Sequence, residues 1–213
     1  MPESQRFVTG NTGIDAVKAI ASTKPNTWYS EHEGRVVLLT THRRENWGDP
    51  QTQIAKAALG LLEQFEDILL VVPMHRNPAV RSVLSAVLAG HPRAELIEPP
   101  DYAEFVKLME RSDLILTDSG GVQEEAPTFG IPVLVLRDTT ERPEGVEAGT
   151  AKLVGTDKDK ILEEASTILS SDEARIEMAR AVSPYGDGLA SARIRYVVLE
   201  HFGIASPLEA MWG

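Results

Sequence analysis

The apolar runs of this chain do not alternate with polar residues. Val36-Val37-Leu38-Leu39, Ile68-Leu69-Leu70-Val71-Val72, Leu114-Ile115-Leu116 and Val133-Leu134-Val135-Leu136 are apolar throughout. A strand with one wet face would read as period two. A continuous run means that both faces are covered, the mark of a parallel sheet between helical layers. Strands are therefore expected at 35–41, 68–72, 94–97, 114–117, 132–136 and 152–154. The intervening segments carry helical spacing: Ile14, Val17 and Ile20; Ile54, Ala57, Ala58, Leu61, Leu62 and Phe65; Val80, Val83, Leu84, Val87 and Leu88; Phe105, Val106 and Met109.

Punctuation agrees with that division. Asn11 or Thr12 can cap the first helix, Asp49-Pro50 and Asn77-Pro78 pair a cap with a proline, Asp101 opens another helix, and Gly90 can stop one. Residues 137–150 read as a turn-rich link. Two acidic helices and a segment from Ala190 to Phe202 follow. Strands alternating with helices imply right-handed crossovers. The expected fold class is α/β: a single Rossmann-like domain over 1–213 with a parallel sheet of about six strands.

Composition then removes whole classes of function. Among 213 residues, 21 basic against 32 acidic side chains give a net charge of −11, which lacks the basic footprint of a nucleic-acid binder. The absence of cysteine excludes disulfides, thiolate nucleophiles and cysteine metal sites, and fits a cytoplasmic protein. His32, His91 and His201 have no metal-ligand spacing, so no metal site is expected. No apolar run approaches the ~18 residues of a membrane span, so no membrane partner is expected. Met1 to Arg6 lacks the apolar core of a signal peptide.

Ligands of open parallel sheets sit at the carboxyl ends of strands. Three polar clusters fall there. After the fourth strand comes Ser119-Gly120-Gly121-Val122-Gln123-Glu124-Glu125. Glycines let a ligand approach the backbone, and a helix start offers unpaired N–H groups to a phosphate. The peptide amides past this strand are expected to face outward. Glu125 could accept both hydroxyls of a ribose. Equally, this is a tight turn whose glutamates complement a helix dipole. The dinucleotide pattern G-x-G-x-x-G is absent. After the first strand, His42-Arg43-Arg44-Glu45-Asn46 combines an imidazole fit for a phosphate or a proton with fixed positive charge. After the fifth strand, Arg142 could reach a diphosphate, or Arg137, Asp138, Glu141 and Arg142 could form an internal ion-pair network. His75 follows the second strand and could line a secondary anion site. Phe105 could face a nucleobase or belong to the core.

Longer stretches carry a resemblance. Leu116-Thr117-Asp118-Ser119-Gly120-Gly121-Val122-Gln123-Glu124-Glu125-Ala126-Pro127, Pro132 through Glu144, His42 through Asn46, Thr9 through Thr12, Asn77-Pro78 and Pro184 through Gly188 resemble, in order, the motifs of the non-hydrolysing UDP-N-acetylglucosamine 2-epimerases. The resemblance covers only the carboxyl-terminal half of that family's two-domain GT-B architecture, so the amino-terminal half would be a required partner. It implies interconversion of UDP-N-acetylglucosamine and UDP-N-acetylmannosamine through UDP elimination and re-addition, with no cofactor. This chain would be the nucleotide-binding half, inactive alone, since the family's acidic catalytic residues lie in the other half. The resemblance further implies that Ser119, Gly120 and Gly121 bind the diphosphate. Glu125 would hold the ribose, Arg142 add charge, and Phe105 and the backbone of Pro100 border the uracil. His42 would be catalytic, beside the phosphates and the reacting sugar, and His75 would belong to an allosteric substrate site. A homodimer is the family's tendency.

Two other readings are weighed against this one. The chain could be a stand-alone sugar-nucleotide binding or regulatory module. It could also belong to a hydrolysing epimerase or to a GT-B glycosyltransferase relative.

Overall fold

The computed structural model describes residues 6–23 and 25–204. Six strands, β1 Val36–Thr40, β2 Leu69–Pro73, β3 Ala94–Ile97, β4 Leu114–Thr117, β5 Val133–Val135 and β6 Ala151–Leu153, form one sheet in the order β3-β2-β1-β4-β5-β6. Every pairing is parallel. Nine helices accompany it among the described residues: α1 Thr12–Thr23, α2 Asp49–Gln64, α3 Pro78–Leu88, α4 Tyr102–Arg111, α5 Gly120–Glu125, α6 Pro143–Glu147, α7 Lys158–Ser170, α8 Asp172–Arg180 and α9 Ala190–His201.

The double burial inferred from the apolar runs is realised residue by residue. Val37, Leu39, Leu70, Val72, Leu114, Leu116 and Leu134 point into a core with α2, α3 and α7. Their neighbours Val36, Leu38, Leu69, Val71, Ile115, Val133 and Val135 point into a second core with α1 and α4. Successive side chains leave opposite faces of a sheet, so a strand covered twice must be apolar twice. The edge strand β3 is only partly covered, and its pattern Ala94-Glu95-Leu96-Ile97 admits a glutamate.

Several local expectations shift. The Asn11 side chain accepts from the amide of Gly13 at 2.8 Å, as a cap should. Asn77 and Asp101 accept likewise from Ala79 and Glu104. Helix α2, however, begins at Asp49 rather than after it. Gly48, at φ +85°, takes the cap position, and no side chain closes it. The link at 137–150 contains α6, whose five residues have no apolar stripe to announce them. Residues 44–46 form a 3-10 turn instead of an open loop.

The chain leaves β1 toward β2 on one side and re-enters at β4 on the other. The crevice beyond the ends of β1 and β4 is thus the point where strand order reverses, the place such sheets bind ligands. Two of the three polar clusters flank it directly.

Candidate functional site

A cavity of about 380 Å³ opens at this crevice. His42, His75, Pro100, Phe105 and Ser119 line it together with Thr41 and Tyr102. Five residues singled out from the sequence are thereby brought to one place, from the ends of β1 and β2, the entrance of α4 and the end of β4. Phe105 serves two ends, since it also packs against the α1/α4 core.

The floor is organised by a residue that the sequence reading passed over. Asp118 is fully buried at the end of β4. Its Oδ2 accepts from Thr41 Oγ1 at 2.9 Å, from the amides of His42 and Arg43 at 3.0 Å, and from Asn46 Nδ2 at 3.0 Å. Its Oδ1 lies 3.1 Å from His42 Nδ1. Burial pushes this carboxyl up, but the His42 ring and the backbone N–H groups of Arg43 and His42 outweigh it and hold it below the usual carboxylate range. The 3-10 turn exists because Asn46 must fold back to reach Asp118 and the Leu136 carbonyl. The only sequence signal was a carboxylate just past the apolar run Leu114-Ile115-Leu116, separated from it by Thr117.

The turn after β4 corrects one expectation. The Ser119 amide faces inward, donating to Thr117 Oγ1 at 3.0 Å, so it is not offered to a ligand. The side chain of Thr117 is held in turn by Thr40 Oγ1 at 2.7 Å. The amides of Gly120 and Gly121 have no such internal partner among the described residues, whereas the Gln123 amide already donates to the Ser119 carbonyl at 3.3 Å. Nothing inside the protein requires glycine at these positions. Neither has a positive φ, and an added Cβ would meet nothing nearer than 3.7 Å at Gly120 or 3.9 Å at Gly121. The missing side chains leave room for something outside the chain. The Gly120 contact is Arg43 Nη2, so a guanidinium stands beside that space.

Glu125 sits just behind the cavity wall. Tyr102 donates to its Oε1 at 3.0 Å. Burial and the neighbouring charge of Glu124 push its carboxyl up against the lowering effect of Tyr102, with burial the largest influence. Buried Gln123 joins the β4 turn to the loop after β5: its amide donates to the Ser119 carbonyl at 3.1 Å and accepts from Thr140 Oγ1 at 2.6 Å.

Arg142 is not in the cavity. Its Nε bonds Glu124, whose other oxygen takes Asn11 Nδ2 at 2.5 Å, and these residues line a separate depression with Tyr185. The expected ion-pair network exists with different members. Arg137 pairs with Glu141 and Glu45, both at 2.5 Å, and Asp138 is in none of these pairs. The Arg137 hydrogen bond lowers Glu141 to about 2.

Comparison with known proteins agrees with this picture. The sequence model of a family described as UDP-N-acetylglucosamine 2-epimerase matches residues 1–199. The UDP-N-acetylglucosamine 2-epimerase of Bacillus subtilis is 48% identical over 203 residues, covering 92% of this chain and 52% of its own length. A crystal structure of a putative UDP-N-acetylglucosamine 2-epimerase from Listeria monocytogenes superposes with a TM-score of 0.91 at 49% identity, over 95% of this chain and 55% of that one. The S. aureus MnaA-UDP co-structure gives 0.91 at 44% identity, over 99% and 58%. The chain spans about half the length of the curated relatives it matches. With the family model matching nearly the whole sequence and these structures overlaying its sheet, the chain belongs to the UDP-N-acetylglucosamine 2-epimerase family.

Proposed function

We propose that residues 1–213 form the UDP-binding half of an enzyme interconverting UDP-N-acetylglucosamine and UDP-N-acetylmannosamine. The observation that carries this reading is the cavity at the strand-order reversal, beside a glycine pair that the chain's own geometry does not demand. In this reading the amides of Gly120 and Gly121 and the hydroxyl of Ser119 hold the diphosphate. Glu125 grips the ribose hydroxyls, and Phe105 and the backbone of Pro100 border the uracil. His42 stands at the phosphates and the reacting sugar, and His75, stacked on it at 5.7 Å, contributes to a second substrate site. Arg142 adds positive charge after exchanging Glu124 for phosphate oxygen.

The chemistry follows from leaving-group departure. The C2 hydrogen of the sugar is next to no carbonyl and is poorly acidic. When the C1–O bond breaks, its electron pair goes to the diphosphate oxygen and the ring gains oxocarbenium character. Loss of the C2 proton then forms the C1=C2 bond of a glucal. Re-addition of UDP to C1, with a proton delivered to the other face of C2, gives the epimer. This half supplies prearranged donors where charge accumulates on the departing UDP. The base that removes the proton belongs to the amino-terminal half, which is the proposed partner. A homodimer in the cytoplasm is the proposed setting.

Calorimetric titration of the chain with UDP tests the binding claim. A Kd of roughly 0.1–1 mM, or about 4–5.5 kcal/mol, is expected for half a cleft. Heat no different from dilution, with a folded chain, would overturn it. Epimer formation should be absent with this chain alone and appear when the amino-terminal half is added. Product analysis then separates retained UDP-sugar from released N-acetylmannosamine, the sign of a hydrolysing enzyme.

A further inference from the structure

We infer that Asp118 is the positioning residue of His42, fixing the imidazole as the Nδ1–H tautomer so that Nε2 alone is free to exchange a proton with a ligand in the cavity. That Nε2 meets UDP rests on the function proposed above; the tautomer does not.

The division of labour between the two oxygens of Asp118 carries the argument. Oδ2 is crowded by Thr41 Oγ1, the amides of His42 and Arg43, and Asn46 Nδ2, all within 3.0 Å. Oδ1 keeps a single side-chain neighbour, His42 Nδ1 at 3.1 Å, besides the His42 amide, which it shares with Oδ2, also at 3.1 Å. An ionised carboxylate only accepts, so the ring nitrogen facing it must donate. Such a partner on one imidazole nitrogen decides which proton the other carries. Among the described residues Nε2 has no hydrogen-bond partner. Asp118 bonds the ring at Nδ1 and His75 stacks on it at 5.7 Å and 25°; Tyr102, the other titratable side chain lining the cavity, bonds Glu125 instead. His75 offers the ring its face and competes for neither nitrogen.

The same geometry dictates what an amide at this position would do. In Asp118→Asn the side chain keeps one acceptor oxygen, and four donors hold it where Oδ2 stood. The NH2 group then falls at the Oδ1 position and points at His42 Nδ1. That nitrogen must accept, so the proton moves to Nε2. The substitution is nearly isosteric and leaves the donors to the acceptor oxygen in place, yet it inverts the ring.

Long-range proton–nitrogen correlation spectra of the nitrogen-15-labelled chain read the tautomer directly, with His42→Gln identifying the signals. At a pH where the ring is neutral, His42 should show a protonated Nδ1 and a bare Nε2. In Asp118→Asn the majority form should invert. Thr41→Val and Asn46→Ala each remove one donor from Oδ2 and none from Oδ1, so both should keep the Nδ1–H form. A wild-type ring protonated at Nε2 overturns the inference. So does an unchanged tautomer in folded Asp118→Asn, or an inversion in either Oδ2 variant. If Asp118→Asn does not fold, the wild-type spectrum and the Oδ2 variants decide. UDP titration is read separately: a correct tautomer without UDP binding would sink the proposed function and leave this inference standing.

Discussion

The two sides of the crevice are built on opposite plans. On the β1/β4 side, a buried carboxylate gathers five donor groups, and both of its oxygens are committed before any ligand arrives. On the β5 side, Arg142, Glu124 and Asn11 are bonded to one another at a half-exposed rim. The first arrangement costs no reorganisation on binding and loses stability when damaged. The second must exchange partners before Arg142 can touch a phosphate, and little of the fold depends on it. One side is a mould and the other a latch.

The sharpest way to break this contrast is to delete each carboxylate in turn. Asp118→Ala strands a set of buried donors and should cost about 3–5 kcal/mol in urea denaturation. Glu124→Ala frees a rim arginine and should cost about 1 kcal/mol or less. Equal losses would erase the distinction. Next in size, Gly120→Ala should separate fold from ligand. Its Cβ has room, and replacing glycine in a helix contributes up to about 1 kcal/mol of stability. UDP affinity should nevertheless fall at least about tenfold, or about 1.4 kcal/mol, because the methyl occupies phosphate space. Retained affinity in calorimetry would remove the glycine pair from the site.

Acid titration tells Asp118 and Glu125, two carboxylates near the cavity, apart by sign. Asp118 has its folded value depressed, so its stabilisation is complete above the unfolded value near ~3.9 and disappears as pH falls through the lower folded value. Glu125 has its folded value raised, so it favours the folded state at low pH and loses that benefit as pH rises from ~4.3 through the raised value. Glu125→Gln should therefore raise the melting temperature at pH 7 while weakening UDP. Asp118→Asn should flatten stability below ~pH 4. The smallest effect concerns the latch. Glu124→Gln removes the charge that holds Arg142 and should tighten UDP by about fivefold or less, within the ~1 kcal/mol span of exposed pairs. Unchanged affinity would mean that Arg142, even when released, does not touch UDP.

What was legible in the sequence follows the range of the forces involved. Strands covered on both faces advertise themselves, because burial constrains every residue of Val36–Leu39 and Leu114–Leu116. Helix caps at Asn77 and Asp101 were readable because donor and acceptor lie within three residues. Helix α6 was not, because tertiary contacts close it: the Tyr185 hydroxyl fills the space a side chain at Gly145 would need, and Thr150 Oγ1 bonds the Gly145 carbonyl at 3.0 Å. The cluster after β4 was found by its glycines, but the organiser at its head was missed. The donors to Asp118 stand 72 to 77 residues away, and no local pattern reports them. The pairing of Arg142 with Glu124 was not legible, since only folding decides which carboxylate captures a guanidinium.

The segments that lead into α1 and α9 are stitched together. Asp15 accepts from the first amides of α9, at Ala190 and Ser191, supplying a cap that Leu189 does not provide. Buried Arg193 clasps Asp187 and the Thr9 carbonyl, and the Asn11 amide donates to Tyr185. Residues 9–15 and 185–193 are therefore one mechanical part. A displacement of this part would move α9 and, through Asn11, the carboxylate that restrains Arg142 together.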